Sequence, residues 1–160
     1  MSSSFLRRLQ VKALTAGFST MQRWGKTPPP KTVIWECTRD CTMACIHGGA
    51  SSGCDTAGDE LSTAAISGIV RDPAGLGVRR FLVTGGEPLL RADLLDVLEL
   101  AKKGGMETGF STNGLAVSEA NIGRIVRVAA SVQVSVDGTE KTHDALRKTP
   151  RVHSLVQYKP

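Results

Sequence analysis

Four cysteines, Cys37, Cys41, Cys45 and Cys54, fall within eighteen consecutive residues of this 160-residue chain. A disulfide framework spreads its cysteines to staple distant segments, so clustering points to metal binding in a reducing compartment. In the stretch "CTMACIHGGASSGC", Cys41 and Cys45 stand four apart, close enough for two thiolates to grip one centre. Three residues beyond Cys45, where a third thiolate would close the site, the chain has Gly48, which offers no side-chain ligand. Cys54 follows across the flexible "GGASSG" and is the better substitute, making Cys41, Cys45 and Cys54 the candidate metal ligands. Cys37 sits where strand alternation calls for a small apolar residue and is expected to be a buried structural thiol. With His47, the same cysteines could instead form a zinc site, although the spacing is not a common zinc pattern.

The elements that must position this loop follow a strand-helix rhythm. "TVIWEC" (32–37) reads as a strand leading into the cysteines. A helix is expected from Ser62 to about Val70, with Ile66, Ile69 and Val70 on one side and "DPAGLG" stopping it. "RRFLVTGG" (79–86) reads as the second strand. The second helix is expected over Arg91 to Lys103, with Leu94, Val97, Leu98 and Ala101 as its stripe and Gly104 as its cap. "METGFSTNG" (106–114) is the third strand. Ser118 starts a third helix, with Ile122, Ile125, Val126 and Ala129 facing inward. "SVQVSVDG" (131–138) is the fourth strand, and 139–148 begins another helix. From the second strand on, strands start about 26 residues apart, the spacing of strand-helix units in a parallel sheet. In such sheets chemistry collects at the C-terminal strand ends. The cysteine loop, "TGGEP", "STNG" and "SVDG" would therefore share one face.

Each tip also has a plainer reading. Gly85-Gly86 can be only a tight strand-to-helix turn, and Glu87 a first-turn acid stabilised by a helix dipole. "STNG" can be a simple turn. Ser135 and Asp137 can merely end a strand, and His47 can be a surface histidine.

The formal net charge of +5 is carried by the ends of the chain. Residues 1–35 hold six Lys/Arg and no acid, and 141–160 hold five against Asp144, whereas 36–140 is net −5. The aromatic residues are scattered and form no basic-aromatic patch, which argues against nucleic acid as a partner. No apolar run approaches the ~20 residues that a membrane span needs. Residues 1–31 read as a basic helix and a Pro-rich linker, residues 32–150 as the core and 151–160 as a divergent tail. The acid-free start, with Leu6, Leu9, Leu14, Phe18 and Met21 near one face, is a leader helix packed on the domain or a mitochondrial targeting segment. The expected location is the cytoplasm.

Taken together, "WECTRDCTMACIHG", "TGGEP", "STNG" and "VSVDG" resemble, in order, the strand tips of the radical S-adenosylmethionine (radical SAM) family. The resemblance covers about residues 32–150 and is nearest the branch that matures peptides, quinone cofactors and haem-like tetrapyrroles. It implies a partial parallel (β/α) barrel, with about four of six strand-helix units present. It also implies a 4Fe-4S cluster held by Cys41 and Cys45, where the family's third cysteine is replaced by Gly48. By the same resemblance, His47 would lie against the adenine of SAM, and Gly85, Gly86 and Glu87 would receive its methionine ammonium. Ser111, Asn113, Ser135 and Asp137 would line the SAM or substrate pocket. The implied activity is reductive cleavage of SAM to methionine and a 5′-deoxyadenosyl radical, fed by a donor such as flavodoxin or ferredoxin and acting on a small-molecule or peptide substrate. The absent thiolate and missing units imply that this activity is impaired. The alternative is a non-catalytic SAM- or zinc-binding α/β module. A fourth strand without its neighbour would leave an open sheet edge, through which self-association is expected.

Overall fold

A computed structural model of the protein describes residues 30–47, 60–75 and 77–157. Four parallel strands, β1 (Thr32–Glu36), β2 (Arg80–Thr84), β3 (Glu107–Thr112) and β4 (Ser131–Val134), form one sheet in sequential order. The crossovers carry α1 (Thr63–Gly75), α2 (Leu94–Lys103) and α3 (Glu119–Val128), and α4 (Glu140–Arg147) and α5 (Val152–Gln157) follow β4. This is the α/β architecture that the alternating pattern predicts.

Register explains the core. Trp35, Val83, Phe110 and Val132 lie opposite one another across the four strands. Trp35, Phe81, Val83 and Phe110 are buried there, together with Leu94, Val97, Leu98 and Ala101, the predicted stripe of α2. Burying each large apolar side chain stabilises the fold by roughly 1.5–3 kcal/mol. Trp35 and Phe81 meet with ring centroids 6.2 Å apart.

The structure departs from the expected boundaries in two places. Helix α1 continues through Pro73 to Gly75. The proline forgoes the bond its N–H would make to Ile69 O, and the helix ends two residues later. Helix α2 starts at Leu94, because Pro88–Leu90 form a separate 3-10 turn and Arg91 is extended. At its end Gly104 caps the helix as expected, and Gly105, with φ +86°, takes the left-handed position after it. In α3, Ile125 and Val128 are buried, but Ile122 and Val126 are exposed, Val126 at 70%. The helix turns its Ile125–Val128 side to the core, and no described element covers the other two. Strand β4 forms one edge of the sheet, with all four residues exposed. Among the described residues, no helix is long and apolar enough to cross a membrane.

Candidate functional site

Parallel pairing brings the four strand tips to one rim. Strand β1 runs on into the cysteine loop, where Cys37 N donates to Thr84 O at 2.8 Å. The loop then pairs with the double-glycine turn: Gly86 N donates to Thr38 O and Glu87 N to Asp40 O, both at 2.7 Å. The glycines are required by this contact. A Cβ on Gly85, whose φ is +145°, would lie 2.4 Å from Thr38 O, and one on Gly86 would lie 2.2 Å from Asp40 O. The close approach that glycine permits is made here by the chain's own backbone.

Glu87 locks the second tip to the third. Its fully buried carboxylate accepts from Thr112 Oγ1 at 2.8 Å, Asn113 N at 2.7 Å and Leu89 N at 3.1 Å. Such donors hold a buried carboxylate in place. Asn113 then reaches the cysteine loop: its Nδ2 lies 3.0 Å from Thr42 Oγ1 and 3.9 Å from Cys41 Sγ. Its Oδ1 accepts from Leu115 N at 2.9 Å.

The fourth tip meets the far end of the same loop. Arg147 Nε donates to Asp137 Oδ2 at 2.6 Å, and Arg147 Nη1 lies 3.8 Å from Cys45 Sγ. His47 Nε2 is 3.8 Å from the same Asp137 oxygen. The guanidinium holds the Asp137 carboxyl below the usual carboxylate range. His143 is buried, and its Nδ1 accepts from Asp137 N at 3.0 Å. Burial lowers its basicity, in keeping with Nδ1 acting as an acceptor.

The cysteines differ in environment. Burial raises the Cys41 thiol; Cys45 and Glu87 add to this, while the Met43 N–H and Asn113 oppose it. Cys37 lies in the core, and desolvation pushes its thiol up to about 12, in keeping with a structural role. Above the ordinary thiol value of about 9, the unfolded chain loses a proton that the native state retains. Stability is therefore expected to fall as pH rises from 9 towards 12, by at most about 1.4 kcal/mol per pH unit. Urea melts at stepped pH should show this slope, and Cys37→Ala should reduce it, leaving the part due to Cys41.

A second network fastens the neck of the loop. Arg91 donates to Cys37 O at 3.0 Å where the loop leaves the sheet, and to Leu61 O at 2.6 Å where it returns. It also pairs with Asp93 at 2.6 Å and Glu60 at 3.4 Å, and its guanidinium carbon lies 4.9 Å from the Trp35 ring centre. Glu60 in turn accepts from Thr38 Oγ1 at 2.5 Å.

The structure thus brings Cys41 to Asn113, His47 to Asp137 and Cys45 to Arg147, which pairs with Asp137, and joins Gly86 and Glu87 to the loop. Ser111 and Ser135 are half-buried at the tips of β3 and β4, with Ser135 N donating to Thr112 O at 3.0 Å. Gly48 and Cys54 lie outside the described residues. Arg91, His143 and Arg147 were missed from the sequence. Their only advance signal is the four-residue spacing of His143 and Arg147, which puts both on one face of a helix.

Residues 35–158 match the Radical SAM superfamily. The chain is 33% identical over 130 residues to the Fe-coproporphyrin III synthase of Methanosarcina barkeri, covering 81% of this chain and 32% of that protein. It is 34% identical over 122 residues to the mycofactocin maturase MftC of Mycobacterium tuberculosis, covering 75% and 31%. It thus spans about a third of the length of these relatives. Its fold is similar to that of Streptococcus suis SuiB bound to S-adenosylmethionine, with a TM-score of 0.71 at 14% identity, covering 85% of this chain and 32% of that one. The family match takes in all four strand tips and the helices between them, and the chain belongs to the radical SAM superfamily.

Proposed function

We propose that this chain forms the SAM- and cluster-bearing part of a radical SAM enzyme, in which SAM is cleaved reductively at a 4Fe-4S cluster. The observation that carries this reading is the direct bonding of the double-glycine turn and Asn113 to the cysteine loop, which makes one rim of the first three strand tips. Cys41 and Cys45 would hold the cluster, but the donor set fits it only in part, because Gly48 leaves it one thiolate short of the family's triad. Cys54 is the proposed substitute. When bound, the cluster supplies the electron that cleaves SAM to methionine and a 5′-deoxyadenosyl radical.

The protein's own residues hold and shape the pocket. The turn carbonyls of Gly85 and Gly86, with Glu87, would receive the methionine ammonium, and Glu87 also keeps β2 and β3 in register at the rim. His47 would face the adenine, with Ser111, Asn113, Ser135 and Asp137 lining the pocket. MftC is named a maturase, and SuiB has been seen bound to its precursor peptide SuiA. A peptide is accordingly the proposed substrate class, with a tetrapyrrole as the alternative. A cytoplasmic flavodoxin or ferredoxin would supply the electron. The exposed β4 edge would pair with another polypeptide strand.

The test is Gly48→Cys, reconstituted anaerobically with iron and sulfide and assayed for 5′-deoxyadenosine. Product is expected to rise by about tenfold or more, since losing even an outer partner of a metal ligand costs ~10–100-fold. No product and no added iron in the variant would count against the reading. One equivalent of zinc without sulfide would favour the non-catalytic module. Cys54→Ala should lower iron loading in the unsubstituted chain; equal loading removes Cys54 as a ligand.

A further inference from the structure

Helix α4 does more than follow β4. One face of it, through His143 and Arg147, grips the loop after β4, and its C-terminal turn grips the cysteine loop. His143 Nδ1 accepts the Asp137 backbone N–H at 3.0 Å, and Leu146 O accepts Ile46 N–H at 2.9 Å. Between these anchors, the Arg147 guanidinium spans the Asp137 carboxylate at 2.6 Å and the Cys45 sulfur at 3.8 Å. The two groups it joins to each other lie 92 residues apart in the chain. The Arg147 side chain is 12% exposed, so its cation is largely shielded from water. A guanidinium offers several N–H donors in a fixed plane, so one group can serve an oxygen and a sulfur together, which an ammonium does less well.

We propose that Arg147 is a positioning residue of the cysteine site. Its guanidinium bridges the Asp137 carboxylate and the Cys45 sulfur, ties the loop to the β4 tip, and sets a fixed cation against that sulfur. The inference rests on the reading of the loop as cluster-bearing. Its test, however, uses the metal-free chain, so its failure is separate from failure of the cleavage assay.

The experiment compares alkylation of each cysteine by iodoacetate, an anion, and by iodoacetamide, which is neutral, with the sites resolved by peptide mass spectrometry. At a single pH the ratio of the two rates cancels the thiolate fraction and reports only the local field. Native Cys45 is expected to favour the anion over Cys45 in urea by up to about threefold, the effect of one charge ~6 Å away in water, reduced by the Asp137 carboxylate paired with Arg147. Arg147→Gln should abolish that preference at Cys45 and leave the ratio at Cys41 unchanged, whereas Arg147→Lys should retain most of it. Cys37, buried in the core, reports folding in the same sample by staying unmodified. A Cys45 ratio that is equal in native and unfolded wild-type protein overturns the inference. So does a ratio that Arg147→Gln leaves unmoved while Cys37 stays protected. If Arg147→Gln exposes Cys37, the native-against-urea comparison on the wild-type chain decides alone.

Discussion

Replacing Gly86 with alanine is expected to cost about 3 kcal/mol or more of folding stability, at the upper end of what overpacking costs. The added methyl would lie 2.2 Å from Asp40 O and 2.7 Å from Arg39 O. Both are backbone atoms, so no side-chain rotation relieves the clash. The segment from Thr38 to Asp40 must move away, which breaks the bonds Gly86 N–H to Thr38 O and Glu87 N–H to Asp40 O. Each such bond is worth about 1 kcal/mol net. Gly68 and Gly123 provide controls. Both are helical, with nothing within 4 Å of an added Cβ. Alanine there should stabilise the protein by about 0.5–1 kcal/mol. Urea melts of the three variants decide the matter, and a loss at Gly86 no larger than at the controls would refute the steric account. Because the same movement loosens the cysteine loop, Cys41 should also alkylate faster in the Gly86 variant.

Arg91→Met is expected to cost about 3–5 kcal/mol, the penalty for breaking a largely buried ion pair from one side. Methionine can still cover Trp35, but Cys37 O and Leu61 O lose a donor and Asp93 loses its guanidinium partner while keeping the Thr63 hydroxyl, at 2.6 Å. Asp93→Asn in the same chain should recover part of the loss, with a coupling of about 1–3 kcal/mol in a double-mutant cycle. The pH dependence has a defined sign. Hydrogen bonding to Arg91 depresses the Asp93 carboxyl in the folded state. The stability from this pair is therefore fully present above the unfolded carboxylate value of about 3.9 and is lost as pH falls through the depressed one. The gap between wild type and Arg91→Met should narrow only in that acidic window, the bonds of Arg91 to Cys37 O and Leu61 O remaining. A constant difference between them from pH 7 to pH 2 would show that the pair is not the source.

The parts legible in the sequence are those encoded locally. Strands β1, β2 and β4 announce themselves by apolar, β-branched runs and helix α2 by its stripe, because periodicity and burial agree over a few residues. The convergence of the four tips follows from parallel connection alone. Other features depend on distant partners. Arg147 and Cys45 are 102 residues apart, and Arg91 and Cys37 are 54 apart. No local pattern distinguishes such arginines from surface ones. Gly86 was legible as a point of close approach, yet the approaching group is Asp40. Ile122 and Val126 have the periodicity of an inward face but no described element against them, since periodicity tells which side of a helix is apolar and not whether anything meets it.

The neck held by Arg91 separates the inheritance of the fold from the inheritance of its chemistry. Its fastening points, at Cys37 and Leu61, stand outside the stretch that carries Cys41, Cys45, Gly48 and Cys54, and the residue that clasps them comes later in the chain. Codon changes in that stretch that spare Thr38, Asp40 and Glu60, which bond its ends to the double-glycine turn and to the Arg91 network, need not endanger the sheet. A lineage could discard a ligand at position 48 and regain it in a single step, with the scaffold kept ready throughout.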